Sequence, residues 1–72
     1  MPTLAQQWVE QGRAEGLHAA IADALDERFG PDARELADDV RAVTDPRALR
    51  AILRAVWRAE SVDEARRAVA GQ

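Results

Sequence analysis

Apolar residues recur every three or four positions along most of this 72-residue chain, and no stretch alternates polar with apolar residues over the length of a strand. The first spacing places side chains on one face of a helix, whereas a half-buried strand needs a period of two. Good helix formers such as alanine, leucine, glutamate and arginine dominate the composition. The pattern therefore predicts an all-α fold, in which one long amino-terminal helix precedes three short helices that form a small bundle.

A glycine followed by a proline marks the end of the first predicted helix. This helix should cover residues 3–29, because Gly30 suits the position just past a helix end and Pro31 cannot continue a helix. The small bundle should then cover residues 32–71. We interpret residues 1–72 as a single helical domain.

Capping residues place the starts of the last two helices. Asp45 can accept a hydrogen bond from a free amide at the helix start, and Pro46 suits the first helical position. Ser61 and Glu64 have the spacing of a capping box, in which each side chain satisfies one amide. The predicted shared core comprises Leu25, Phe29, Leu36, Val40, Leu49, Leu53, Val56 and Trp57.

The first predicted helix has two distinct faces. One side carries residues that suit a helix covering the core, namely Ala14, Leu17, His18, Ile21, Leu25 and Phe29. The opposite side is a strip of small residues that ends at Asp23 and Glu27 and consists of Ala5, Val9, Gly12, Gly16, Ala19 and Ala20. The strip predicts a second contact face, separate from the core.

Gly12 and Gly16 need an explanation, because a glycine inside an exposed helix costs about 1 kcal/mol relative to alanine. Small residues would let a second helix backbone approach closely, whereas the alternative is a kink or break near Gly12. We favour the helix contact, because a break would not require the alanines to share the side of the glycines. Trp8, at the edge of the strip, either anchors the interface or packs on its own chain. The predicted interface comprises Ala5, Trp8, Val9, Gly12, Gly16, Ala19 and Ala20.

No arrangement of residues in the sequence indicates catalysis, cofactor binding or metal binding. The chain has no cysteine, its single histidine has no partners at metal-ligand spacing, and its carboxylates lack the register of a calcium loop. That histidine, His18, lies on the core side of its helix, where we expect it to be hydrogen-bonded or half-exposed. We therefore expect neither an enzyme nor a cofactor.

Arginines line one face of the third predicted helix: Arg47, Arg50, Arg54 and Arg58. Such a face could follow a phosphate backbone, so a nucleic-acid-binding accessory domain is the alternative function. With 13 acidic and 10 basic residues, however, the chain is mildly acidic. This balance favours a solvated face whose arginines pair with carboxylates such as Glu35, Asp38 and Asp39.

The size of the chain favours association with a partner. A core this small rarely supplies more than about 3 to 5 kcal/mol of net stability, and without cysteine no disulfide can add to it. The amino terminus does not resemble a signal peptide, and no apolar run approaches the length of about 20 residues that spans a bilayer. We expect a cytoplasmic protein with no membrane partner.

The segment LAQQWVEQGRAEGLHAAIADALDERFGP, followed by two short predicted helices and RAESVDEARRAV, resembles the carboxyl-terminal region of the Rpn family. These are bacterial recombination-promoting, transposase-like nucleases. In that region a helix with four-residue EGxx repeats leads into an LxxRFG-P turn, and a segment like A-x-S-L-x-E follows. The matching residues are Glu10-Gln11-Gly12, Glu15-Gly16, Leu25, Arg28-Phe29-Gly30-Pro31, and Ala59 to Glu64. The chain has one clear GxxxG step, where related proteins can carry several.

The resemblance implies a non-catalytic module. The family's nuclease activity belongs to an amino-terminal domain with a PD-(D/E)xK metal site, a motif that this sequence lacks. In this family the carboxyl-terminal part can also be made from an internal start as a separate small protein. That product dimerises through the repeat helix and inhibits the full-length toxic nuclease, as an antitoxin would. Met1, just before the repeat helix, fits such a start, so the expected partners are a second copy of the chain and a full-length cognate nuclease.

Overall fold

The computed structural model describes residues 3–72, with the side chains of Ala5, Gln7, Trp8, Glu10 and Gln11 outside the description. Every regular element in residues 3–72 is helical, which confirms the expected all-α fold with a long first helix. The elements are α1 (Leu4–Phe29), a 3-10 turn (Gly30–Ala33), α2 (Arg34–Val40), α3 (Pro46–Arg58) and α4 (Val62–Ala70).

Helix α1 is continuous over 26 residues. At its start the Thr3 hydroxyl accepts the Gln6 amide at 3.2 Å, and the Gln6 side chain accepts the Thr3 amide at 2.8 Å. At its end Gly30 takes a φ of 67°, a left-handed conformation that favours glycine, and its N–H donates to the Asp26 carbonyl. The helix passes through Gly12 without interruption, so the alternative of a break there is wrong.

The core lies between α1 and the three shorter helices, and α1 packs chiefly on α3. Its fully buried large side chains come from three helices: Ile21, Leu25, Leu36, Val40, Leu49, Ile52 and Val56. Small buried residues complete it at Ala14, Ala24, Ala33, Ala59 and Ala65. The core face predicted for α1 is confirmed, with Phe29 and His18 half-buried at its margins.

Trp57 does not belong to the core, contrary to the sequence-based expectation, because 53% of its surface is exposed. The buried residues of α3 are Leu49, Ile52 and Val56, which define the centre of its core face. Trp57 comes one residue after Val56 and is therefore rotated away from that centre by more than a quarter turn. Against so small a bundle, this rotation carries the indole to the edge of the packed face.

The predicted caps of α3 and α4 are present. The Asp45 carboxylate accepts the Arg47 amide at 3.2 Å, and the Ser61 hydroxyl accepts the Glu64 amide at the same distance. The Glu64 carboxylate accepts the amide of Glu60, at 2.6 Å. In a capping box, the Glu64 carboxylate would instead accept the amide of Ser61, the residue that caps α4. The bond observed here therefore comes from the residue before that cap.

Candidate functional site

One side of α1 carries a strip of small residues that is exposed along its described length. We call Val9, Gly12, Gly16, Ala19 and Ala20 the small-residue strip, and all five are exposed. Val9 is the largest of them and is 54% exposed. The side chains of Ala5 and Trp8, which were predicted to share this interface, lie outside the described residues.

The packing of the described residues does not require the glycines of the strip. A Cβ atom added to Gly12 or Gly16 would meet no described atom within 4 Å, apart from the backbone of the helix itself. Each glycine nevertheless lowers the helix propensity of α1 by about 1 kcal/mol relative to alanine. The described interior of the fold therefore gives no reason for glycine at these two positions.

The amino-terminal end of α1 extends beyond the bundle. Ala14 is its first buried residue among the side chains that the structure describes, whereas Leu4 and Val9 are 64% and 54% exposed. The molecule measures 40 by 20 by 17 Å. A helix of this length spans about 39 Å, so α1 alone accounts for the long dimension. Leu4 and Val9 thus lie on a part of the helix where none of the described bundle residues covers them.

His18 has a structural role, as expected from its position. Its Nε2 lies 2.6 Å from the carbonyl oxygen of Val43, to which it donates a hydrogen bond because a carbonyl can only accept. This bond joins α1 to the segment between α2 and α3. No group of three histidine, cysteine, aspartate or glutamate side chains in the described residues is arranged to hold a metal ion.

Arg28 connects α1 to the end of α3, a role that sequence reasoning missed. Its guanidinium donates from Nη1 to the carbonyl oxygens of Val56 and Trp57, at 2.6 and 2.7 Å. Its central carbon lies 5.2 Å from the centre of the Phe29 ring. The last carbonyls of a helix have no partner within the helix, so a cation at this position satisfies them. The only signal in the sequence was the place of Arg28 in the RFG-P motif.

The arginines predicted to line α3 are exposed on one face, but the predicted pairing is wrong. Arg47, Arg50, Arg54 and Arg58 are all exposed. One ion pair is found among the described residues, between Arg66 and Asp63 of α4 at 3.0 Å. Within the same residues, no arginine of α3 forms an ion pair with Glu35, Asp38 or Asp39. The carboxylates of α2 project from another element and do not reach this face.

An open groove of about 1240 Å³ lies between α1 and the start of α3. Four arginines from three parts of the chain line it, namely Arg13, Arg41, Arg47 and Arg50. Its two carboxylates are Glu15 and Asp45, and His18 of α1 also lines it. The sequence could not reveal this groove, because Arg13 and Arg41 come next to α3 only in the folded chain.

Comparison of the whole sequence with protein-family models, curated proteins and solved structures finds no match. The likeness to the Rpn carboxyl-terminal region therefore rests on its short motifs. In the fold, the RFG-P motif forms the junction between α1 and the 3-10 turn, and Ala59 to Glu64 forms the start of α4. No stretch of α1 to α4 is both long and apolar enough for a bilayer crossing, within residues 3–72.

Proposed function

We propose that this chain is a non-catalytic protein-interaction domain that pairs through α1. The observation that carries the proposal is the exposed small-residue strip on a continuous helix that extends beyond its own bundle. The partner is a second copy of the chain, or the same helix within a larger protein. Small domains of this size gain much of their stability from such association.

The strip suits close contact between two helices. Packed helix axes are usually about 8 to 10 Å apart, and residues without large side chains allow a nearer approach. Closer backbones make more dispersion contacts, which can offset the helix propensity lost at Gly12 and Gly16. A partner helix would also cover Val9, the most exposed large residue of the strip.

The Rpn resemblance supports a narrower form of the proposal. The chain would act as an antitoxin-like inhibitor of a full-length cognate nuclease in the cytoplasm, or as the oligomerisation module of that nuclease. Inhibition would follow from mixed pairing, in which this chain replaces one copy of the nuclease in its active assembly. The chain contributes contact surface to this mechanism and takes no part in chemistry.

Substitution of Gly16 by leucine tests the pairing. We expect Gly16→Leu to give a folded, helical chain, because leucine is a better helix former and a Cβ atom at this exposed position has no described atom within 4 Å outside the neighbouring helix backbone. Its bulk would separate the two helices, so the variant should sediment as a smaller species and dissociate at a higher concentration than the parent. It should also fail to pair with the long helix of an Rpn-type nuclease.

Ala70→Leu is the matched control. Ala70 is exposed at the end of α4, away from the strip, so the same bulky apolar group is added without touching the proposed contact. The control should sediment as the parent does at every concentration. Equal dimer affinity in the parent and Gly16→Leu, or a monomeric parent at high concentration, would show that the glycines do not form an interface.

A further inference from the structure

A basic face with an exposed aromatic ring runs along α3. Arg47, Arg50, Arg54 and Trp57 follow one another at intervals of three or four residues, which places them along one side of the helix. All four are exposed, and Trp57 has 53% of its surface accessible. The row is about 15 Å long, the rise of ten helical residues.

Positive charge is concentrated at the start of this row. The groove beside α1 adds Arg13 and Arg41 to it, while Glu15 and Asp45 contribute two carboxylates. The Asp45 carboxylate is engaged by the Arg47 amide at 3.2 Å, at the amino-terminal end of α3. The chain as a whole has a net charge of -3, so this row is a basic surface on an acidic chain.

The backbone of Trp57 is held in place although its ring is exposed. Arg28 donates to the carbonyl oxygens of both Val56 and Trp57, which ties the end of α3 to α1. The exposed indole therefore projects from a supported helix end, next to the arginine row. A planar aromatic surface beside guanidinium groups is the combination that binds unpaired bases and their phosphates.

We propose that this face binds single-stranded nucleic acid. The guanidinium groups contact successive phosphates, and Trp57 stacks on one base. A duplex keeps its bases stacked inside, where a single indole on a helix face cannot reach their planes. An acidic peptide would use the arginines but would leave the indole without a planar partner.

The salt dependence of oligonucleotide binding tests the contacts with phosphate. We expect a short labelled oligothymidylate to bind the full chain, as measured by fluorescence anisotropy. Contacts from the three arginines of the row and from Arg58, which is exposed on the same side of α3, predict a slope of about -3 for the logarithm of affinity against the logarithm of salt concentration. Arg50→Gln with Arg54→Gln should reduce the slope to about -1.4.

A second double variant controls for net charge. Arg34→Gln with Arg67→Gln removes the same charge from exposed positions on α2 and α4, and it should keep the slope and affinity of the parent. Absence of binding at low salt would overturn the proposal. Equal losses in the two double variants would overturn it as well, because the attraction would then depend on total charge and not on this face.

Trp57 distinguishes stacking from simple attraction between charges. Trp57→Ala should weaken oligothymidylate binding by about 5- to 100-fold, and Trp57→Phe should retain most of it. Circular dichroism of each variant shows whether the helices are intact. If Trp57→Ala binds as the parent does, or if polyglutamate of similar length binds as tightly as the oligonucleotide, the face does not recognise nucleic acid.

Discussion

At the residue scale, a shift of one position along α3 separates a buried side chain from an exposed one. Ile52 and Val56 have no exposed surface, whereas the next residue after Val56, the larger Trp57, is half-exposed. Hydrophobicity alone would have placed the tryptophan inside. The deciding quantity is its angular position on the helix, because a bundle this narrow buries only the centre of each apolar face.

Stability measurements should separate these two residues. Ile52→Ala removes buried methyl and methylene groups and should lower the free energy of unfolding by about 2 to 5 kcal/mol. Trp57→Ala removes a ring that is already half in water, and should cost no more than about 1 to 2 kcal/mol. Urea titrations followed by circular dichroism give both values. Equal destabilisation by the two substitutions would place Trp57 back in the core.

At the scale of elements, the helix ends were the most predictable features. Asp45 and Ser61 could be assigned as caps because capping depends on residues within one turn of each other. The two bonds from Arg28 to the end of α3 could not be predicted. Their acceptors, Val56 and Trp57, are separated from Arg28 by 28 and 29 positions in the sequence. The groove was hidden for the same reason, because three separate parts of the chain form it.

The Asp45 cap should make a measurable contribution to the stability of α3. Asp45→Ala removes the acceptor of the Arg47 amide and should lower the free energy of unfolding by about 1 kcal/mol. Asp39→Ala removes the same carboxylate from an exposed position on α2, and should change stability by less than about 0.5 kcal/mol. Thermal unfolding of both variants at one protein concentration makes the comparison. If Asp45→Ala and Asp39→Ala lower the free energy of unfolding equally, the loss comes from the removed charge and not from the cap.

At the scale of the whole molecule, the proposed surfaces lie on different helices. The small-residue strip belongs to α1, while the arginine row and Trp57 belong to α3. The core lies between these two helices, so each turns its other side outward. The groove meets the strip at Ala19 and reaches α3 at Arg47 and Arg50, whereas Arg54 and Trp57 do not line it.

This separation predicts that the two proposed activities, pairing and oligonucleotide binding, can be removed independently. Arg50→Glu with Arg54→Glu should abolish oligonucleotide binding and leave pairing through α1 intact, because neither arginine lies on the strip. Sedimentation over a range of concentrations and partner inhibition would report the pairing. Loss of dimerisation or inhibition in a variant that remains folded would show that the arginine row takes part in pairing.

The part of α1 that precedes Ala14 would also set how quickly the proposed pairing can be reversed. A helical segment of about ten residues is marginal in water without tertiary contacts, so the backbone around Val9 and Gly12 opens far more easily than that around Ile21 and Leu25. In the proposed pairing, a partner helix would order this segment, and part of the binding free energy would be used to do so. A partner held in this proposed way would therefore be released and replaced while the bundle stays folded.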